Sequence, residues 1–265
     1  MDSSVTKQEN KQILDQTDKL DIFVSTTHNK LDYVPTNKCY KIISPNKFEP
    51  IGDLENIFID KNKSEVGNMF HSYCEVAYLK YARDNYDLKK YVGSAHYRRF
   101  FKFLDDIPDL DELFKTYDGI LGVMGVYPTV LKQYANAHNI YDILQIIDII
   151  YVKHNELHGK AIDFFFTKDF FFKNNVFIVK KETFCGACDF VMSVLTEFDK
   201  IRGFKTDYDV YKYVNEHSDI YQGGGNEYQS RICSFLGERL FSFYFYANLQ
   251  NPLIKDIVLT SGKMV

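Results

Sequence analysis

A chain of 265 residues with 45% hydrophobic and 16% aromatic content can bury a large core and stands outside the disordered class. Its 32 basic and 36 acidic residues give a formal charge of −4, mixed along the sequence, whereas a dedicated nucleic-acid binder shows a basic excess. The apolar runs are too short for a membrane-spanning helix, and the opening Met1–Asn10 segment has no apolar signal core, so a soluble, cytoplasmic protein is expected.

Residues 1–18 are polar and read as a flexible arm ahead of a single domain over residues 19–265. Leu20–Ser25 is a compact β-rich run that gives way to Thr26, Thr27 and His28. This is a first strand opening onto a ligand edge, where hydroxyls and an imidazole can hydrogen-bond a nucleotide base or ribose; an ordinary turn is the competing reading. Residues 31–62 hold three prolines and form a long irregular connection, with one short strand near Tyr40–Ile43. Helical periodicity follows over residues 68–85. Glu75 falls among the apolar positions of that helix, and a carboxylate there needs a partner.

Tyr91–Phe101 organises the rest: an apolar strand that stops abruptly at His96, Arg98 and Arg99. Open α/β sheets bind ligands in the crevice beyond the carboxyl ends of their strands, so such an end suits an anion, phosphate first. One arginine is expected to face the crevice and another to pair with Glu75 or Glu238. The alternative is a solvated arginine, an ion-paired one and a packing histidine.

Beyond it, the acidic run within residues 103–114 reads as helix capping rather than a metal site. A short strand spans residues 117–122, helical patterns cover residues 127–138 and 141–154, and the phenylalanine-rich stretch 161–172 belongs to the core. A strand entered through Asn174 and Asn175 precedes an amphipathic helix over residues 182–200. Cys185 and Cys188 then lie inside that helix, as structural thiols without the second ligand pair of a zinc site. Residues 206–217 are polar and tyrosine-rich. Gly223–Gly225 is a hinge without the Lys-Ser/Thr of a phosphate loop, and a long helix over residues 228–248 embeds Arg231, Glu238 and Arg239 among apolar residues. Strands alternating with helices indicate one α/β domain.

Ser25-Thr-Thr-His28, Tyr73-Cys-Glu75, Gly93-Ser-Ala-His-Tyr-Arg-Arg-Phe-Phe101, the Asn175–Glu182 strand and Arg231–Leu240 occur together in one order. Over about residues 20–248 the chain thereby resembles the bacterial family of unknown function usually labelled capsular or exopolysaccharide biosynthesis protein, whose members resemble GT-A glycosyltransferases. The resemblance implies a single GT-A-like α/β domain with a mostly parallel central sheet flanked by helices. It implies a transferase moving a sugar from a nucleotide-sugar donor, UDP- or GDP-linked, to a hydroxyl of a glycan or glycoconjugate acceptor. A catalytically inactive nucleotide- or carbohydrate-binding module is the alternative.

The expected catalytic residues are His96, Arg98, Arg99 and Glu238. The donor would be held by Ser25, Thr26, Thr27, His28, Glu75, Asn175 and Arg239. GT-A enzymes place an Asp-x-Asp at a central strand end, where this chain has His96-Tyr97-Arg98. Cations can take the metal's role there, or Asp118 or Glu238 can bring Mn²⁺ or Mg²⁺, held loosely.

Overall fold

The computed structural model describes residues 15–28, 31–47, 49–122, 125–221, 223–260 and 263–264. Its strands are β1 Leu20–Ser25, β2 Tyr40–Ser44, β3 Glu55–Phe58, β4 Tyr91–His96, β5 Arg99–Phe101, β6 Gly119–Gly122, β7 Gly125–Val126, β8 Phe170–Phe171, β9 Phe177–Lys180, β10 Pro252–Lys255, β11 Ile257–Leu259 and β12 Lys263–Met264. Its helices are α1 Phe70–Tyr73, α2 Glu75–Asn85, α3 Leu110–Thr116, α4 Val130–Ala135, α5 Ile140–Lys153, α6 Asn155–Thr167, α7 Lys181–Arg202, α8 Asp207–Glu216, α9 Asn226–Gln229 and α10 Ile232–Asn248.

The main sheet runs β10-β6-β9-β4-β1-β2-β3. The block β4-β1-β2-β3 is parallel, as is β6 with β10, and within this order β9 runs against both of its neighbours. This is the mostly parallel sheet flanked by helices that the sequence led us to expect. The chain steps outward from β1 to β2 and β3, then returns to lay β4 on the other side of β1. The direction of winding therefore reverses between β1 and β4, which opens a crevice beyond their carboxyl ends.

Strand alternation divides the core. Phe23, Ile43, Val92, Leu121, Phe177 and Val179 point to the face covered by α2, α5, α6, α7 and α10. Ile22, Val24, Ile42, Tyr91, Ile120 and Ile178 point to the other, under α3 and the long connection after β1. Both faces of β1 are buried, which explains its apolar run Ile22–Val24, and Asp21 is buried with them.

Several boundaries differ from the sequence reading. The helix over residues 68–85 breaks at Cys74 into α1 and α2, and the one over residues 228–248 breaks after Gln229 into α9 and α10. Residues 206–217 become helical because Thr206 and Asp209 form a reciprocal capping box. Edge strand β3 and the C-terminal strands carry polar or short sequences without clear alternation, and were not foreseen. As expected, Asp109 caps α3, accepting from the backbone N–H of Asp111 and Glu112, and Cys185 and Cys188 are free thiols within α7. Of the expected N-terminal arm, residues 1–14 lie outside the described residues, while Gln16 is buried and bonded to Pro108 O and Leu110 N. Among the described residues, no helix is long and apolar enough to cross a membrane.

Helices α2 and α10 approach closely because position 237 lacks a side chain: a Cβ on Gly237 would stand 2.4 Å from Val76 Cγ2. The substitution Gly237→Val is expected to destabilise the protein by about 1–3 kcal/mol through overpacking, read as a lower urea midpoint. An unchanged midpoint would show that the two helices can separate freely.

Candidate functional site

In the β1–β4 ladder Ser25 is the partner of His96, and Tyr97 N–H donates to Ser25 O at 3.2 Å. Two polar strand ends are thus side by side at the winding reversal. A cleft of about 280 Å³ opens there, lined on the sheet side by Ser25, Thr26, Thr27 and His28 and by His96, Tyr97 and Arg98. Its far wall is helical: His71, Cys74, Glu75 and Tyr78 from α1 and α2, and Arg231 at the start of α10.

After His96 the chain reverses at once, and β5 leaves antiparallel with Arg99 opposite His96. The Arg98 backbone N–H and Arg99 Nη1 both approach His96 Nδ1, each at 3.4 Å. Both neighbours are donors, so Nδ1 keeps its lone pair and the proton sits on Nε2. Burial, with the positive fields of Arg99 and Arg98, pushes the imidazole down to about 3, so the ring is neutral at physiological pH. Tyr97 lies between His28 and His96, with ring centroids 4.7 and 4.2 Å away, and the Arg98 guanidinium stands 4.7 Å from its own ring centre. Ser25 Oγ and Arg98 Nε are buried without a partner among the described residues, groups that a ligand could satisfy. Thr26 Oγ1 instead takes the His28 backbone N–H at 2.9 Å and shapes the strand-end turn.

Cys74 links the walls. It has φ +46° and ψ −125°, an unfavourable backbone for a residue with a side chain, and it ends α1 where α2 begins. Its thiol donates to His71 O at 2.9 Å and accepts from Arg231 Nε at 3.1 Å. That contact anchors the arginine in the cleft.

Among the described residues, Glu75 is the single carboxylate that lines the cleft. Burial, then the nearby Glu238 carboxylate, raises its pKa to about 7, against the Asn175 hydrogen bond and the fields of Arg231 and Arg99. Asn175 Nδ2 donates to Glu75 Oε1 at 2.6 Å, while Glu238 Oε1 accepts from Asn174 N–H at 2.5 Å. Both asparagines have positive φ, a conformation this residue type tolerates, so the turn before β9 can present Asn175 to Glu75.

The structure therefore gathers Ser25, Thr26, Thr27, His28, His96, Arg98 and Glu75 into one cleft, with Asn175 behind Glu75. Three expectations need correction. No ion pair joins Arg98 or Arg99 to Glu75 or Glu238 among the described residues; the partner of Glu238 is its chain neighbour Arg239, at 2.7 Å. Arg239 is not a cleft residue: it is buried, donates to Phe235 O and Gln133 Oε1, and stacks near Phe171, so it holds the helix layer together. Asp118 precedes β6 and accepts from the backbone N–H groups of Gln250 and Asn251, at the opposite sheet edge from His96. It cannot ligate a metal in this cleft.

His71, Cys74, Tyr78 and Arg231 were not assigned to the site from sequence. Arg231 gave a usable signal, a charge in an apolar helix that must find a partner. A larger cavity, about 580 Å³, lies between residues 61–69 and the end of α7, lined by Lys61, Lys200 and Lys205. None of the converging strand-end groups reaches it, and its Asp199 is engaged by Tyr73 and Cys233.

Residues 22–249 match the profile of the family described as Domain of unknown function (DUF4422). The chain belongs to the DUF4422 family. No curated protein matches it. Among solved structures, this DUF4422 chain is similar in fold to the apo structure of the WbbM bifunctional glycosyltransferase, with a TM-score of 0.64 and 16% sequence identity over 89% of the chain. It spans 45% of the length of that protein.

Since Glu75 has no arginine in an ion pair with it among the described residues, its removal is not expected to destabilise the DUF4422 fold as a broken ion pair would. An acid whose folded pKa lies above its usual value of 4.5 contributes stability that is fully present below that value and is lost as pH rises through 7. The stability of Glu75→Gln relative to wild type should therefore improve by about 1–3 kcal/mol between about pH 5 and 8. Urea titrations across that range giving a constant difference would contradict the raised pKa.

Proposed function

We propose that the β1–β4 cleft binds a nucleotide-sugar donor and transfers its sugar to a hydroxyl of a glycan acceptor. The observation that carries this reading is the convergence of two polar strand ends under Arg98 and Arg231, with a single near-neutral carboxylate beside them. Ser25–His28 and the Tyr97 ring offer hydroxyls, an imidazole and an aromatic face to the nucleoside. Arg98, Arg231 and the Nε2–H of His96 offer charge and hydrogen bonds to the diphosphate. Arg99 acts through His96, fixing its tautomer.

The chemistry follows from that distribution. As the bond between the anomeric carbon and the diphosphate breaks, negative charge grows on the leaving oxygen, and preorganised cations in a cleft stabilise it more than water does. The acceptor oxygen bonds to the anomeric carbon, and its proton passes to ionised Glu75. A pKa of about 7 suits that task, since a base works best when its pKa lies near the operating pH. Asn175 orients this carboxylate, and Glu238 fixes the asparagine turn and raises the basicity of Glu75.

A divalent metal does not fit the groups present. Mg²⁺ and Mn²⁺ seek several oxygen ligands, and the cleft supplies one carboxylate facing two arginines, while Glu238 is taken by Asn174 and Arg239. Charge neutralisation is assigned to the arginines.

A thermal-shift series with UDP- and GDP-sugars tests the reading. A ligand that binds only the native state raises its apparent stability, so wild type should shift with the correct donor, with and without EDTA. Arg98→Ala should keep its own melting temperature and lose that shift. A full shift in Arg98→Ala would remove Arg98 from the site, and a donor that binds without transfer or hydrolysis would leave a binding module.

A further inference from the structure

The glycine run ahead of α9 has a purpose that a hinge does not explain. Gly224 stands at φ +71°, and a Cβ there would lie 2.4 Å from Cδ1 of Tyr228. Only glycine lets the backbone rest on that ring. Phe235 supports the same ring with centroids 4.8 Å apart, and the Arg231 guanidinium stands 5.9 Å from its centre. His138 stacks on it more distantly, at 6.2 Å, and with these neighbours in place Tyr228 as a whole remains 44% exposed.

Its position matters. Arg231 lines the cleft, and α9 also gives Glu227 O and Ser230 Oγ to His71 on the same wall. Tyr228 does not itself line the cleft, but it stands next to Arg231, just outside the helical wall that faces Ser25–His28. From there the surface continues onto α8, where Tyr208, Tyr211 and Asn215 recur at helical spacing along one exposed ridge, the two tyrosines 71% and 45% exposed. Asn215 Oδ1 accepts from Asn226 Nδ2 at 2.8 Å, which ties that ridge to α9.

We infer that Tyr228, Tyr211 and Tyr208 form an acceptor track that seats successive pyranose rings of a glycan chain, with Tyr228 holding the ring nearest the transfer point. This rests on the reading of the sheet wall as the nucleotide side. Exposed tyrosines suit the ligand: the C–H face of a pyranose is apolar and weakly positive, and packs on the electron-rich ring face, while the sugar hydroxyls remain free for water or polar neighbours. A polar glycan also explains why the aromatic groups are spaced along a ridge rather than gathered into one apolar patch.

The chain has no tryptophan, so Tyr228→Trp places a single indole reporter at the start of the track. The full chain carrying it is titrated with methyl galactopyranoside, methyl glucopyranoside and their linear oligosaccharides, and separately with UDP and GDP. At least one sugar should change the emission saturably, an oligosaccharide at about tenfold lower concentration than its single ring, because further rings engage Tyr211 and Tyr208. That oligosaccharide advantage should vanish when Tyr208→Ala and Tyr211→Ala are added. UDP and GDP should leave the emission unchanged. Gly224→Ala in the reporter background should lose the sugar response and keep the thermal shift with donor.

A response to nucleotide and to no sugar would mean that Tyr228 holds the base, and silence towards every sugar would equally overturn the track. Either result alongside a wild-type donor shift leaves the donor site standing. A sugar response in a protein that no nucleotide sugar stabilises would contradict the acceptor role and the donor reading together.

Discussion

The parallel pairing of β1 with β4 is the contact on which the rest depends. Placing Ser25 opposite His96 sets the ends of two buried strands level at the point where winding reverses, so their polar continuations share one cleft. A register slip by one residue would exchange the two faces of β4, sending Val92 and Tyr91 into the wrong layers. The core therefore fixes the site. The same hydrophobic alternation that holds the sheet together decides where the imidazole and guanidinium groups emerge.

Around that pair the chain holds several conformations it would not choose alone. Cys74, Asn174 and Asn175 all have positive φ, and each lies at or behind the cleft. Such positions persist when surrounding structure over-determines them, and here the supports are visible: the Arg231 contact on the Cys74 thiol, and the Glu238 carboxylate on the Asn174 N–H. Their joint effect is a half-buried glutamate set between a like charge and an amide donor, beside cations that do not neutralise it. An ordinary structural carboxylate would be paired.

Much of this was legible in the sequence, for identifiable reasons. β1 and the strand ending at His96 announced themselves because an apolar run that stops in hydroxyls or cations marks a buried strand reaching an edge. Glu75 and Arg231 could be flagged as charges needing partners, since burying them alone is costly. Which partner each finds depends on packing, and there the reading failed for the arginines of the central strand: Glu238 meets its neighbour Arg239 instead, while Arg231, for which no partner was named, meets a cysteine 157 residues away. Helix breaks at Cys74 and after Gln229 were hidden because periodicity continues across them, and β3 because Glu55–Phe58 has too little apolar alternation to declare an edge strand. The glycine run looked like a hinge since nothing local reveals that Tyr228 lies against it.

Hydrogen exchange on the full chain, with and without the nucleotide sugar that stabilises it most, tests the placement of the donor site most directly. The account requires slowed exchange at residues 25–28 and 96–99, on both strand ends at once, with weaker protection at residues 71–78. Protection confined to residues 61–69 and 200–205, around the larger lysine-lined cavity, would contradict it.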